Sequence, residues 1–158
     1  MLFPYISALA ILVPMVRAVG SVIIYNNCPQ SIVHIWSVGS AIPTNPWVTL
    51  PENTYYEQFR EDPAIGGISI KILTSYNDLY DGSPQMDLAY TIDPDAGKVW
   101  YDLSDIDGDP FAGNVVKLES PGCPGVTWPN GVRPIGAEPM ACDIDAQLNL
   151  FLCGGSLP

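Results

Sequence analysis

The chain has 158 residues, 47% of them hydrophobic, with 17 acidic against 6 basic side chains and a net charge of −11. That length suits one domain with a real core. A surface so negative repels phosphate backbones and anionic lipid heads, so nucleic-acid and membrane-surface binding are excluded as expectations.

The chain opens "MLFPYISALAILVPMVRAVGS". Its apolar run from Leu2 to Val16 falls short of the roughly 20 apolar residues that span a bilayer, and Pro4 and Pro14 interrupt it. Val16 and Ala18 supply the small residues at −3 and −1 of a signal-peptidase site. Residues 1–18 are therefore predicted to be a secretory leader cut after Ala18, with Gly20 the alternative, and residues 19–158 a single mature domain. Removing Arg17 leaves five basic residues against seventeen acidic ones, a net of −12. No later stretch is apolar enough to cross a membrane, and the closing "LFLCGGSLP" is too short for a lipid-anchor tail. The expected product is an extracellular, unanchored monomer. No N-x-Ser/Thr sequon is present, so N-glycosylation is not expected.

Beyond the leader, strand signals dominate. "SVIIYNN" and "SIVHIWSVG" are rich in β-branched and aromatic residues, and "GGISIKIL" alternates Ile68, Ile70 and Ile72 with Ser69 and Lys71. "TYYEQFR", "MDLAYTI", "KVWYDLS", "NVVKLES" and "QLNLFLC" follow the same style. Between them lie the turns "LPEN", "DPAIGG", "YDGSP", "DPDAGK" and "DGDPFAG". No convincing helical stripe exceeds two turns. Many short strands separated by Gly, Pro and Asp turns predict an all-β antiparallel sandwich. Ser120 to Met140 reads as a proline- and glycine-rich loop.

Cys28, Cys123, Cys142 and Cys153 make an even set in a secreted chain and read as two disulfides. Zinc is a poor alternative: no C-x-x-C pair occurs, and the only histidine, His34, lies in a strand away from the other cysteines. Of three possible pairings, Cys28–Cys153 and Cys123–Cys142 are expected. The first ties the opening strand to the closing one, and the second turns the Ser120–Met140 loop into a pinned one. In the chain-entropy view they stabilise by roughly 4–5 and about 3 kcal/mol.

The stretch "YDLSDIDGDPFAG" places Asp102, Asp105, Asp107 and Asp109 close together. In "KVWYDLS", Val99, Tyr101 and Leu103 share one strand face, while Trp100 and Asp102 share the other. With the apolar trio inward, Asp102 points outward beside an indole ring. Ring plus carboxylate suits a sugar: the ring stacks on C–H faces while the carboxylate accepts from hydroxyls. A plain, solvated strand-end acid is the bland alternative.

A calcium loop fits poorly. Asp105-x-Asp107-x-Asp109 reproduces three EF-hand ligand positions, but Pro110 takes the glycine position and Val116 that of the bidentate glutamate. Neither a metal nor a cofactor is expected. Trp36, Trp47 and Trp128 are further possible sugar platforms, although core packing is the commoner role for single tryptophans. His34 has no obvious acid or nucleophile partner and reads as structural.

Two stretches carry a resemblance. "YNNCPQSIVHIWSVGS" looks like the opening strand pair of thaumatin-like proteins, whose first cysteine bonds one near the C-terminus. "VWYDLSDIDGDPFAG" resembles that fold family's "Y-D-V/I-S-L-V-D-G-F-N" segment. More closely, "NNC…IWSVG", "FREDPAIGGISIKI", "GSPQMDLAYTI", "VWYDLSDIDGDPFAG" and "WPNGV", in that order, resemble the small fungal branch, the Blastomyces yeast-phase-specific protein family. That family comprises secreted, often antigenic proteins.

The resemblance implies a thaumatin-like sandwich with an acidic cleft. In plant relatives an arginine, a glutamate and aspartates line that cleft, and several of those proteins bind or slowly hydrolyse β-1,3-glucan. Asp102 and Asp107 match the two motif aspartates, and Arg60 is a candidate cation. Tyr90, after Leu88-Ala89, stands where the cleft glutamate should be, and the cysteine-rich lobe of the larger proteins is missing.

Hydrolysis needs one protonated and one ionised carboxyl about 5–10 Å apart, a distance Asp102 and Asp107 could meet across a turn. Catalysis by these two is the minor expectation. The main one is a cell-wall or extracellular protein that binds polysaccharide, plausibly β-glucan, through Asp102, Asp107, Trp100 and Arg60. The alternatives are a weak endo-β-1,3-glucanase and a non-catalytic surface protein with a protein partner.

Overall fold

Alternating β-branched and small polar residues build eleven strands in the computed structural model, which describes residues 18–43, 46–76 and 79–155. The expected leader, apart from Ala18, lies outside the described residues. The strands are β1 (Ser21–Asn26), β2 (Val33–Val38), β3 (Trp47–Thr49), β4 (Thr54–Gln58), β5 (Gly67–Leu73) and β6 (Gln85–Asp93). They continue as β7 (Lys98–Ile106), β8 (Val116–Glu119), β9 (Val126–Trp128), β10 (Met140–Asp143) and β11 (Gln147–Leu152). No helix forms among the described residues.

They assemble into a five-stranded sheet ordered β4-β1-β11-β8-β9 and a six-stranded sheet ordered β10-β7-β6-β5-β2-β3. Adjacent strands pair antiparallel except β1 and β11, which run parallel with Ile24 opposite Leu150. The core lies between the sheets. Val22, Ile24, Leu148 and Leu150 fill it from one side, and Ile70, Leu88, Val99, Tyr101 and Leu103 from the other, all at most 2% exposed. The period-2 pattern of "GGISIKIL" and "KVWYDLS" thus has the predicted sense, with isoleucines and the Val99–Tyr101–Leu103 trio inward.

Both expected disulfides form. Cys28–Cys153 joins the ends of the parallel pair with Cα atoms 4.9 Å apart, and Cys123–Cys142 closes the loop that carries β9, with Cα atoms 5.6 Å apart.

A polar clamp also links the sheets. Glu57 of β4 accepts hydrogen bonds from the Tyr55 hydroxyl (2.7 Å) and from the Tyr90 hydroxyl of β6 (2.5 Å). Arg60 lies 3.7 Å from Glu57 and donates to the Ser37 hydroxyl of β2 at 2.9 Å. Burial and the Glu57 carboxylate together push both tyrosine hydroxyls to higher pKa, so they remain donors.

Three strands escaped the sequence reading: β3, β9 and β10. β3 and β9 have three residues each, set between prolines: Pro46 and Pro51 bracket β3, Pro124 and Pro129 bracket β9. Their punctuation outweighs their β-branched content. β10, "MACD", carries no alternating apolar face at all.

Candidate functional site

The register of the six-stranded sheet fixes what its outer face displays. Trp100 of β7 stands opposite Thr91 of β6, which faces Gly67 of β5. One row along, Asp102 faces Ala89, then Ser69, then Val38 of β2. In the next row Ser104 faces Asp87, Lys71 and Trp36.

The middle of the first two rows carries only short side chains: Gly67, Ser69, Ala89 and Thr91. A Cβ on Gly67 would come 2.8 Å from the Thr91 hydroxyl, so the floor has no room for a larger residue there. The result is a trough of about 280 Å³ over Ser69, Ala89 and Thr91, with Val38 and Ile65 on its far side. Trp100, 53% exposed, rises on the near side.

The far wall is held by Asp62. One oxygen accepts the Ser40 amide and hydroxyl, both at 2.8 Å, and the other the amides of Ala64 (2.9 Å) and Ile65 (3.1 Å). These bonds, the Ser40 amide foremost, hold its carboxyl down at about 2. Asp62 thereby ties the turn that presents Ile65 to the end of β2.

The trough stops at the third row. There Asp87 accepts from Lys71 (2.8 Å) and the Ser69 hydroxyl (2.9 Å), and both charged side chains are largely covered. Leu79, from the β5–β6 connection, packs with Trp36, Val38 and Leu73 in a small second core on this outer face. His34 belongs to the same region. It is buried, meets Tyr76 edge-on with ring centroids 5.2 Å apart, and burial lowers its pKa, so it serves packing.

Asp102 is half of an ion pair. Arg133 Nη2 donates to its Oδ2 at 2.9 Å and Oδ1 at 3.2 Å, and also to the Ala137 carbonyl at 3.2 Å. The loop that delivers Arg133 is fixed at several points. Cys123–Cys142 closes it, and the Asn130 carbonyl accepts the Gly113 amide at 3.0 Å. Gly131 adopts φ +63 and passes so near Phe111 that a Cβ would lie 2.1 Å from its carbonyl oxygen. Glycine is required there.

The other expected site residues fall elsewhere. β7 continues unbroken from Asp102 to Ile106, about 13 Å of strand, and Asp107 follows in an exposed turn with φ 57. The turn does not bring Asp107 back toward Asp102, so these two lack the spacing of a glycosidase pair. Arg60 does not reach Asp102 either. Its partner Ser37 lies on the inner-face register opposite Ile70, three strand spacings from β7, about 14 Å. Trp128 and Trp36 are buried, leaving Trp100 and Trp47 as the exposed indoles.

One contrast in carboxyl environment does exist. Burial first, and the Asp109 carboxyl second, raise Asp105 to about 7, outweighing the Arg133 amide and charge. Asp105, however, is three residues from Asp102 on one strand and so faces the opposite side of the sheet. Asp105 and the ion-paired Asp102 thus leave β7 on opposite sides, with the Arg133 amide against the first and its guanidinium against the second. Among the described residues, no group of three His, Cys, Asp or Glu side chains is placed to hold a metal ion.

Residues 9–154 match the Blastomyces yeast-phase-specific protein family. The chain belongs to that family. Among relatives of this yeast-phase-specific chain, the antigenic thaumatin-like protein of Arthroderma benhamiae is 33% identical, over 95% of this chain and 80% of its own length. The secreted thaumatin-like protein calA of Emericella nidulans is 36% identical over 71% of this chain and 64% of its own.

Solved structures agree on the fold. The protein elicitor MoHrip2 from Magnaporthe oryzae superposes with a TM-score of 0.69 at 23% identity, covering 85% of this chain and 99% of that one. The thaumatin-like xylanase inhibitor TLXI gives 0.52 at 14% identity, covering 84% and 99%. The yeast-phase-specific chain is thus a thaumatin-like sandwich.

The sequence reading missed Arg133. Its signal was faint but present: beyond the expected leader the sequence has two arginines, and one lies in a disulfide-closed loop.

Proposed function

We propose that this is a secreted fungal protein that binds polysaccharide of the cell-wall β-glucan class along the outer face of its six-stranded sheet. The observation that carries this reading is the exposed Trp100 standing beside the Asp102–Arg133 pair over a floor of Gly67, Ser69, Ala89 and Thr91. A pyranose ring stacked on the indole would lie over that low floor. The Asp102 carboxylate accepts from its hydroxyls, and the guanidinium donates to ring or hydroxyl oxygens. The similarity to a secreted thaumatin-like protein of Emericella nidulans supports secretion.

In this reading Trp100 and Asp102 carry binding, while Asp107 and Arg60 stand outside it. Hydrolysis is disfavoured because the two unlike carboxyls of β7 face opposite ways. The test is retention of the mature, oxidised protein on insoluble β-1,3-glucan. Trp100→Ala and Asp102→Asn should each weaken it roughly tenfold, the scale of one lost stacking or charge-assisted contact. Absence of retention by the wild type, or equal retention by both variants, would overturn the proposal.

A second reading, a protein partner, is favoured by one other surface. Trp47, Val48 and Leu50 at edge strand β3, and Tyr56 on edge strand β4, are all about half exposed or more. Unchanged partner capture after Trp47→Ala with Tyr56→Ala would remove that reading.

A further inference from the structure

Turns are dominated by Gly, Pro, Asn, Asp and Ser, and isoleucine is a poor choice for one. Two turns of this chain nevertheless hold an isoleucine out in solvent. Ile65, in "DPAIGG", is 64% exposed, and Ile135, in "RPIGA", is fully exposed. In both, a glycine in the left-handed region follows, Gly66 at φ 78 and Gly136 at φ 79. Each turn closes on itself: the Gly66 amide donates to the Asp62 carbonyl at 2.7 Å, and the Ala137 amide to the Pro134 carbonyl at 3.3 Å.

Both turns are also held from outside. Asp62 ties the first to Ser40, past the end of β2. Arg133 ties the second to β7, since one nitrogen, Nη2, donates both to Asp102 and to the Ala137 carbonyl. Side chains presented on pinned turns meet a ligand with little ordering cost.

The two turns stand on opposite sides of the trough. Ile65 belongs to its far wall. On the near side, β10 covers the edge of β7 only from Lys98 to Tyr101, and Asp102, the next residue, meets the Arg133 loop instead. Across the strands the outer face therefore reads Ile65, the floor of Ser69 and Ala89, Trp100 with Asp102, and then Ile135. β5 and β7 are two strand spacings apart, about 10 Å. A lone exposed isoleucine is ordinary. Two of them, on rigid turns in line with an exposed indole and an ion pair, make a row.

We infer that the glycan lies across the strands along this row, with Trp100 as its central contact and Ile65 and Ile135 as its outer ones. The inference rests on the polysaccharide reading above and adds the direction of the bound chain. Along the strands the trough is closed at the third row, where the covered Lys71–Asp87 pair and Leu79 occupy the outer face. Across them, C–H faces of successive rings meet the three apolar side chains, while Asp102 and Arg133 exchange hydrogen bonds with hydroxyls. The floor separates Ile65 from Ile135, so only a chain of several rings touches both. Affinity must then climb with chain length.

The test is calorimetric titration of the mature, oxidised protein with β-1,3-gluco-oligosaccharides of increasing length, beside retention on insoluble β-1,3-glucan. Ile65→Ser and Ile135→Ser should each weaken the longest oligosaccharide roughly fivefold, the scale of one lost apolar contact, and leave the shortest that binds unchanged. The two losses should multiply in the double variant, and melting temperatures should stay at the wild-type value. Ile106→Ser is the control. Ile106 is exposed on β7 but lies past the third row, two residues beyond Ser104, so its loss should change nothing. Wild-type affinity for the longest oligosaccharide in either turn variant, equal weakening of short and long oligosaccharides, or weakening by Ile106→Ser would overturn this path. Trp100-dependent retention on the polymer would then still stand. Absence of all glycan binding by the wild type would overturn both.

Discussion

Arg133 lies on a loop closed by Cys123–Cys142, yet its guanidinium reaches across to Asp102 on β7, with Nη2 2.9 Å from Oδ2. The pair belongs to two regions far apart in sequence and joins the pinned loop to the outer sheet face. Both side chains are partly exposed, at 36% and 27%, so the pair should matter more to shape than to stability. Arg133→Ala is expected to lower stability by about 1 kcal/mol or less, read as a small fall in melting temperature. The same variant should weaken glycan retention at least as much as Trp100→Ala. An equal loss of stability and none of retention would place Arg133 outside the site.

Two carboxyls give stability a distinct pH profile. Asp105 is raised to about 7 in the folded state, so folding is favoured by its proton. That contribution is complete below about 4, where the unfolded acid is also protonated, and is lost as pH rises toward 7. Asp62 works in the opposite direction: held at about 2, it stabilises the fold above about 4 and ceases to do so as pH falls toward 2. Stability should therefore peak in mildly acidic solution, near pH 4–5. Chemical denaturation across pH 3–8 checks this. In Asp105→Asn the decline between pH 5 and 7 should flatten, and a decline as steep as the wild type's would refute the assignment.

Glu57 is expected to be worth more than its partner Arg60. Removing the carboxylate leaves the Tyr55 and Tyr90 hydroxyls without their acceptor, which should cost about 2–4 kcal/mol. Arg60→Ala should cost about 1 kcal/mol and leave glycan retention unchanged, because Arg60 lies with Ser37 and Glu57, not with Asp102. Impaired retention with normal stability would return Arg60 to the ligand site.

The disulfides should differ in the sense of their loop lengths. Replacing Cys28 and Cys153 by alanine, 125 residues apart, should cost about 5 kcal/mol, and replacing Cys123 and Cys142, 19 apart, about 3 kcal/mol. Denaturant midpoints compare them directly. The order would invert if the long-range bridge spanned a region already ordered in the unfolded chain.

Much of the fold was legible in residue alternation. Ile68, Ile70 and Ile72, or Val99, Tyr101 and Leu103, announce an inward face two residues at a time, and that periodicity survives in three dimensions. The outward direction of Trp100 and Asp102 follows from the same rule. The pairing Cys28–Cys153 was also readable, because the two cysteines follow the opening and closing strands and a bond between them joins those strands.

The site was harder to read. Asp107 shares a motif with Asp102, but sequence proximity says nothing of whether a strand continues or bends, and here β7 runs on to Ile106. Arg133 is 31 residues from its acid, brought there by a loop whose proline-rich composition conceals β9. The small-residue floor of the trough needed the register: Gly67, Ser69, Ala89 and Thr91 become neighbours only once β5 and β6 are aligned.

The parallel partnership of β1 with β11 has a consequence for how the molecule is made. Ser21–Asn26 leaves the ribosome long before its neighbour Gln147–Leu152, with nine other strands made between them. The five-stranded sheet cannot close until β11 has emerged, and β1 waits without that partner while the intervening strands are made. Such a non-local closure is slow, so the pairing of β1 with β11, and with it the oxidation of Cys28 and Cys153, should come late in assembly.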